Sequence, residues 1–192
     1  VYVFYGSTPP ASSLDLSSAD AIFLGEAAGD LAGRAVSCAG DTDGDGTEDL
    51  LIGAYAESAN GVASGAAYLI LGDTLTPPTG TMSLSTADAK LRGDAAGDRV
   101  GLAVADAGDV NGDSYADLLI GGYNVGGGRG EAFVFLGPVS GTLDMASADA
   151  TLVGVGGEHS AHHVKFITGM FQAGATKQMD AWSVHSYRYP RT

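Results

Sequence analysis

The sequence predicts an all-β chain in which four-stranded antiparallel sheets stack radially, as the blades of a partial β-propeller. The chain has 192 residues and is 45% hydrophobic, which is enough for a sizeable core. Glycine accounts for 30 residues, about twice average usage, as expected for many tight turns between short strands. A unit of about 65 residues recurs along the chain, and such units bury their faces by stacking on one another.

Three groups of matching segments define the repeat. An opening segment occurs three times, an acidic segment twice with an offset of 68 residues, and a closing apolar segment three times. The segments, group by group, are 14–25, 82–93 and 143–154; 41–55 and 109–123; and 1–6, 67–72 and 132–137.

Each unit contains four short apolar runs bounded by turn residues. In the first unit these runs lie at about 21–24, 34–39, 50–56 and 66–71. They are four to eight residues long and have no helical period, so we predict strands. We expect the four runs of one unit to form one antiparallel sheet, and a sheet of this size needs neighbours on both faces.

The repeat also suggests a division of the chain, in which the third repeat stops early. The remaining residues contain all four histidines, the single tryptophan, four basic residues and one acidic residue, unlike the rest of the chain. The predicted units are a last strand of a preceding blade (1–6), two blades (7–72 and 73–137), the start of a third, truncated blade (138–158) and an unrelated tail (159–192).

Charge and cysteine content exclude several classes of protein. There are 23 acidic and 9 basic residues, a net charge of −14, so phosphate backbones are repelled and we expect no nucleic-acid partner. The longest apolar runs are under ten residues, too short for membrane insertion. One cysteine, Cys38, cannot form an internal disulfide, and its apolar surroundings predict a buried small residue.

The first acidic loop has oxygen donors at alternate positions. Such spacing turns the donors toward one centre when the loop curls, which suits a hard cation. Gly44 and Gly46 permit the positive φ angles that a tight curl needs. The predicted calcium ligands are Asp41, Asp43, Asp45, the carbonyl of Thr47 and Asp49.

The second acidic loop repeats this pattern with three carboxylates instead of four. Ser114 replaces the second glycine, at a cost of about 1 kcal/mol if the position is left-handed. We therefore expect a second, weaker calcium site. Its predicted ligands are Asp109, Asn111, Asp113, the carbonyl of Tyr115 and Asp117.

Two other interpretations of the acidic loops can be compared with these calcium sites. A solvated Asx-turn would need no metal. An EF-hand would need a glutamate at position 12 and flanking helices, but Ile52 and Ile120 occupy that position inside strand-like runs. We therefore place each loop in a β-hairpin, closed by the aspartate at position 9.

These motifs together resemble FG-GAP repeats, the blades of the integrin α-subunit β-propeller and its bacterial relatives. The resemblance rests on Gly29-Asp-x-x-Gly33, on the run from Asp41 to Ala54 and on their second copies, and it covers about residues 1–158. It implies calcium loops between adjacent strands of a blade. It also implies a secreted or cell-surface protein with a role in adhesion or ligand binding.

The function predicted first is a non-enzymatic module that presents its loops, such as 57–64 and 123–130, to a protein or glycan. No nucleophile elbow, P-loop or dinucleotide fingerprint occurs in its required context. The segment 179–190 is similar to a barrel strand of bacterial TIM-barrel glycoside hydrolases, although Asp180 alone is not a catalytic pair. An accessory fragment of a secreted glycoside hydrolase is therefore the alternative, and a structural spacer is a third hypothesis.

Assembly follows from the number of repeats. Two whole repeats cannot close a ring, and the strand at 1–5 resembles a blade strand that needs a sheet edge. The run at 150–154 is expected to leave another edge open. We therefore expect a homo-oligomer in which copies of the chain complete each other's blades.

Overall fold

The computed structural model describes residues 1–6, 15–73 and 77–153. Within these ranges the chain is nearly all strand and turn, so the all-β prediction is confirmed. No helix in the described ranges has the length and apolar character needed to cross a bilayer. The predicted tail, 159–192, lies outside the described residues.

Twelve strands occur in the described residues. Three 3₁₀ turns lie at Leu16–Ser18, Leu84–Thr86 and Met145–Ser147, and one helical turn spans Val125–Gly128. The strands are β1 Tyr2–Val3, β2 Ala21–Leu24, β3 Ala35–Gly40, β4 Asp49–Ala54, β5 Ala66–Ile70, β6 Gly80–Ser83, β7 Ala89–Arg92, β8 Val100–Gly108, β9 Asp117–Gly122, β10 Glu131–Phe135, β11 Gly141–Asp144 and β12 Ala150–Val153.

The strands form three sheets. The central sheet has the order β11-β7-β5-β4-β3, in which β3, β4, β5 and β7 are antiparallel and β11 joins β7 in parallel. The second sheet, β12-β10-β9-β8, is antiparallel throughout. The remaining sheet, named the first sheet because it contains β1, has the order β1-β2-β6, and β6 joins β2 in parallel. The central and second sheets therefore each contain one four-stranded antiparallel blade.

The sheets are offset by one strand from the expected grouping of apolar runs. We expected 21–24 to pair within its own unit, but β2 pairs with β1 and β6. The fourth strand of the central blade is β7, at 89–92, and the run at 150–153 completes the second blade. Because the repeats are similar, the local pattern is the same whichever strand is taken as the first of a unit. Periodicity therefore does not decide which strand closes a sheet. The unit boundaries drawn from the repeat stay predictions.

The central sheet is buried on both faces, which explains its continuous apolar runs. Leu51 and Leu69 pack in one cluster with Ile120 and Phe133 of the second blade. On the opposite face, Ile52 and its neighbours form a second cluster with residues of β2. Every residue of β5 is buried. Stacking of sheets, rather than closure of one sheet, therefore builds the core.

Glycines set the distance between β4 and β5 of the central sheet and β8 of the second sheet. A Cβ on Gly53 of β4 would lie 2.0 Å from the carbonyl oxygen of Gly101 in β8. A Cβ on Gly101, whose φ is +80°, would lie 2.0 Å from the carbonyl oxygen of Ala66. Backbone meets backbone at these positions, so any side chain would force the blades apart.

Candidate metal centres

Both acidic loops connect adjacent strands of a blade, as predicted. The first lies between β3 and β4 and the second between β8 and β9, and both strand pairs are antiparallel. Gly44 and Gly46 have φ angles of 82° and 89°. Ser114 has a φ of 78°, which is the left-handed conformation anticipated for it.

Three carboxylates converge in the first loop. Asp41, Asp43 and Asp45 each place one oxygen within 4.8 Å of the others. Asp41 accepts hydrogen bonds from the backbone N–H groups of Gly44 (2.8 Å) and Gly46 (3.0 Å). Asp45 accepts one from the backbone of Thr47 at 2.7 Å. These bonds hold the loop in its curl and bring the three acids together.

The electrostatics of this cluster favour a cation. Burial raises the pKa of Asp43, and the charges of Asp45, Asp49 and Asp41 raise it further against one backbone hydrogen bond. The three salt bridges of the described residues lie elsewhere, so no basic side chain in that part of the chain neutralises the cluster. Clustered carboxylate oxygens are the donors that Ca²⁺ prefers, so the donor set fits this ion.

Asp49, the fourth carboxylate, is not one of the three clustered acids, and it holds strands together. It is 3% exposed. Its Oδ2 accepts from the backbone N–H of Thr42 at 2.9 Å and from the Thr42 hydroxyl, and its Oδ1 accepts from the N–H of Gly72 at 2.7 Å. The loop is thereby tied to the end of β5. The Thr47 hydroxyl is buried without a hydrogen-bond partner among the described residues.

The second loop has the same backbone frame. Asp109 accepts from the N–H groups of Gly112 (2.6 Å), Asp113 (3.1 Å) and Ser114 (2.9 Å). These hydrogen bonds, led by that of Ser114, lower the pKa of Asp109. The amide of Asn111 donates to Asp113 at 2.7 Å. The side-chain amide of Asn111, a hydrogen-bond donor, therefore occupies the position at which the first loop has the carboxylate of Asp43.

Asp117 holds the strands of the second blade in the same way as Asp49 holds those of the first acidic loop. It is fully buried and accepts from the N–H groups of Val110 at 2.7 Å and Gly137 at 2.9 Å. Burial raises its pKa against these two hydrogen bonds. The Tyr115 N–H donates to Asp113 at 2.9 Å. The assignment of ten ligand residues stays a prediction.

A partly buried polar network was missed by sequence reasoning. Lys90 donates to Glu26 at 2.8 Å and to Glu57 at 3.1 Å, and Tyr68 donates to Glu26 at 3.0 Å. Glu57 is 5% exposed, and its Oε2 has no hydrogen-bond partner in the described residues. The signal was a difference between repeats, because the counterparts of Glu57, Tyr68 and Lys90 are valine, phenylalanine and threonine.

Cys38 and its surroundings differ from the sequence prediction. The cysteine is exposed, not buried, because it lies on β3, the edge strand of the central sheet. It lines a largely apolar cavity of about 470 Å³ between the first and central sheets, together with Phe23 and Ile70.

Antiparallel blades that stack through their glycines and carry acidic hairpin loops are the features of a β-propeller repeat. The family model described as FG-GAP repeat matches residues 33–70, which include the first acidic loop and strands β3 to β5. Residues 33–70 therefore match an FG-GAP repeat.

Comparison with curated proteins shows similarity to integrin α chains. The chain is 37% identical to integrin alpha-IIb of Mus musculus over 107 residues, which cover 53% of this chain and 10% of that protein. It is 37% identical to integrin alpha-PS2 of Drosophila melanogaster over 113 residues, covering 56% of this chain and 8% of that protein. The chain thus spans about a tenth of the length of these relatives.

Proposed function

We propose that the chain is a non-catalytic, calcium-binding propeller module that recognises a protein or glycan at the cell surface or in a secreted protein. The observation that carries the proposal is the convergence of Asp41, Asp43 and Asp45 in one hairpin loop. The FG-GAP match covers this loop, and the similarity to integrin α chains supports an extracellular, adhesive role.

Each loop would hold one calcium ion. In the first loop the three clustered carboxylates, the Thr47 carbonyl and Asp49 would bind it, and one oxygen of Asp49 accepts only a single hydrogen bond. In the second loop the corresponding residues are Asp109, Asn111, Asp113, the Tyr115 carbonyl and Asp117. The ion would neutralise the acids and fix the loop, and the first loop would bind more tightly because it has an additional carboxylate.

Recognition would take place at the opposite end of the blades. The strand β4 runs from Asp49 at the acidic loop to Ala54, so the loop 57–64 lies at the far end, as does 123–130 after β9. Val62 and Tyr123 in these loops are 80% and 62% exposed. Calcium at one end would hold the strands while the other end presents side chains to a ligand.

Isothermal titration of the full chain with CaCl₂ tests the calcium sites. We expect two sites in the unaltered chain and one each in the Asp45→Ala and Asp113→Ala variants. Glu48→Ala is the matched control, because it removes an exposed acid from the same loop without removing a predicted ligand. Absence of calcium binding by the folded chain would overturn the proposal.

Thermal unfolding gives an independent readout. A ligand bound only to the folded state stabilises it by about 2.7 kcal/mol at a hundredfold excess over Kd. EDTA should therefore lower the melting temperature by several degrees, and CaCl₂ should restore it. An unfolding curve that is the same in EDTA and in calcium would count against the proposed sites.

We also propose that copies of the chain associate through the first sheet. Strand β1 is a sheet edge, and it has β2 as its single strand neighbour in the described part of the chain. Light scattering in calcium should give a discrete multiple of 19.2 kDa. A monodisperse monomer would contradict this assembly.

A further inference from the structure

The two acidic loops are in direct contact. The backbone N–H of Ala116 in the second loop donates to the carbonyl oxygen of Asp41 in the first at 2.9 Å. Ala116 lies between Tyr115 and Asp117, and Asp41 is the first residue of its own loop. One hydrogen bond therefore joins predicted ligand segments of neighbouring blades.

The ring of Tyr115 packs on the first loop. A Cβ built on Gly44 would lie 2.7 Å from Cε1 of that ring. A Cβ on Gly40, at the start of the first loop, would lie 2.5 Å from the Cβ of Ala116. The backbone of the first loop thus follows the surface of Tyr115 and Ala116, and a glycine at each contact makes the close approach possible.

A third contact connects Asp117, the buried carboxylate of the second loop, to the first loop. Gly137 donates its N–H to Asp117 at 2.9 Å. A Cβ on Gly137 would lie 3.0 Å from the carbonyl oxygen of Thr42 and 2.6 Å from that of Ala116. Thr42 in turn donates to Asp49, the buried carboxylate of the first loop. The backbones of the two loops are therefore packed against each other.

We infer that the two loops bind calcium as a coupled pair, with Tyr115 and Ala116 as positioning residues for the first loop. This inference rests on the proposed calcium sites. An ion held by the Tyr115 carbonyl would order the residue whose ring packs on Gly44 and the neighbouring N–H that holds Asp41. The first ion to bind therefore bears the entropy cost of ordering these shared contacts, and the second ion binds with a smaller loss of entropy. This makes the coupling positive. By linkage it must act equally in both directions.

Charge opposes this coupling, because an ion in one loop reduces the negative potential at the other. The loops are exposed and this effect is screened by salt. It also stays when the tyrosine ring is removed, so the ring and charge effects can be separated.

Three calcium titrations of the full chain at 0.15 M salt measure the coupling. Asp113→Asn isolates the first loop, Asp45→Asn isolates the second, and the unaltered chain gives the overall constant for both ions. Independent sites require the overall constant to equal the product of the two single-site constants. We expect it to exceed that product by about fivefold or more.

Tyr115→Ala tests the contact itself and should bring this excess close to one, with both isolating substitutions repeated in that background. Tyr123→Ala is the matched control, because it removes an exposed tyrosine ring from the far end of the blade and should leave the excess unchanged. Gly44→Ala disturbs the same contact from the first loop, and it serves as a second variant if Tyr115→Ala fails to fold by circular dichroism.

The outcomes are distinguishable. If the overall constant of the unaltered chain equals the product of the two single-site constants, the coupling is overturned and the two calcium sites stay intact. An excess that persists in Tyr115→Ala and in Gly44→Ala overturns the assignment to this contact. No binding by the folded, unaltered chain overturns the proposed function and the inference together.

Discussion

Replacement of Lys90 by methionine should destabilise the protein by leaving a carboxylate buried without its cation. In the native chain the ammonium group lies between Glu57 and Glu26 at the boundary of the first and central sheets, and 5.4 Å from the centre of the Tyr68 ring. Methionine keeps most of the side-chain volume, so the change removes charge more than packing. Glu57 would retain one hydrogen bond, from the N–H of Ala59 at 3.0 Å.

The magnitude follows from the exposure of the three partners. Loss of one member of a fully buried ion pair costs about 3–5 kcal/mol. Here the side chains of Glu57, Lys90 and Glu26 are 6%, 16% and 29% exposed, so water can reach one end of the network. We therefore expect about 2–3 kcal/mol, close to the lower end of that range. For a chain of this size that lowers the melting temperature by roughly 5–10 °C.

A second substitution distinguishes this explanation from simple loss of packing. Adding Glu57→Val to Lys90→Met gives the residue found at the equivalent position of the second blade, Val125, and should recover more than half of the loss. Thermal and urea unfolding in calcium measure both variants. Equal stability of the single and double variants, or an unchanged Lys90→Met protein, would refute the reasoning.

The pH dependence of the same variant tests whether the charge of Lys90 is what stabilises the native chain. Burial lowers the pKa of Lys90, but the hydrogen bonds and charges of Glu26 and Glu57 outweigh it, so the pKa lies above its ordinary 10.5. A raised pKa in the folded state contributes stability below the ordinary value and loses it as pH rises through the folded value. The stability difference between native and Lys90→Met chains should therefore be full at pH 9 and shrink above about pH 10.5.

Two further predictions concern the blade contacts. Gly53→Ala should cost about 3 kcal/mol, because its Cβ would lie 2.0 Å from a backbone oxygen. Gly6→Ala, whose Cβ would have no atom of the described residues within 4 Å, should stay within about 0.5 kcal/mol by urea unfolding. The hydrogen bond of Arg92 lowers the pKa of Asp144, so this pair contributes stability above pH 3.8 that is lost as pH falls further. Acid unfolding of Arg92→Gln should accordingly begin from a less stable state near neutral pH and fall less steeply, and identical acid transitions would contradict this.

Local features of the fold and of the acidic loops could be predicted from sequence. Runs of four to eight apolar residues between turn residues indicate strands, and β3 to β5 lie where those runs are. Alternate acids flanked by glycines indicate a curled hairpin loop, and Asp41, Asp43 and Asp45 do converge. These properties depend on residues close in the chain, so the sequence expresses them directly.

The position-9 aspartates show which contacts the spacing alone does not specify. Spacing placed Asp49 and Asp117 with the other donors, and the structure surrounds both with backbone N–H groups from their own loop and from the next strand end. Gly72 and Gly137, which supply the second donor, are 23 and 20 residues away in sequence. No local pattern specifies such a partner.

The sequence by itself determined the strands, the period of the repeat and the acidic loops, because each arises from the conformational preferences of neighbouring residues. Only the tertiary structure decided that β7, and not β2, closes the central blade, that Tyr115 lies on Gly44, and that Lys90 joins two sheets. Repeats with nearly identical local patterns offer equivalent pairings to every strand. The choice among them is made by close packing between blades, where a glycine, a ring or a buried charge fits in one arrangement alone.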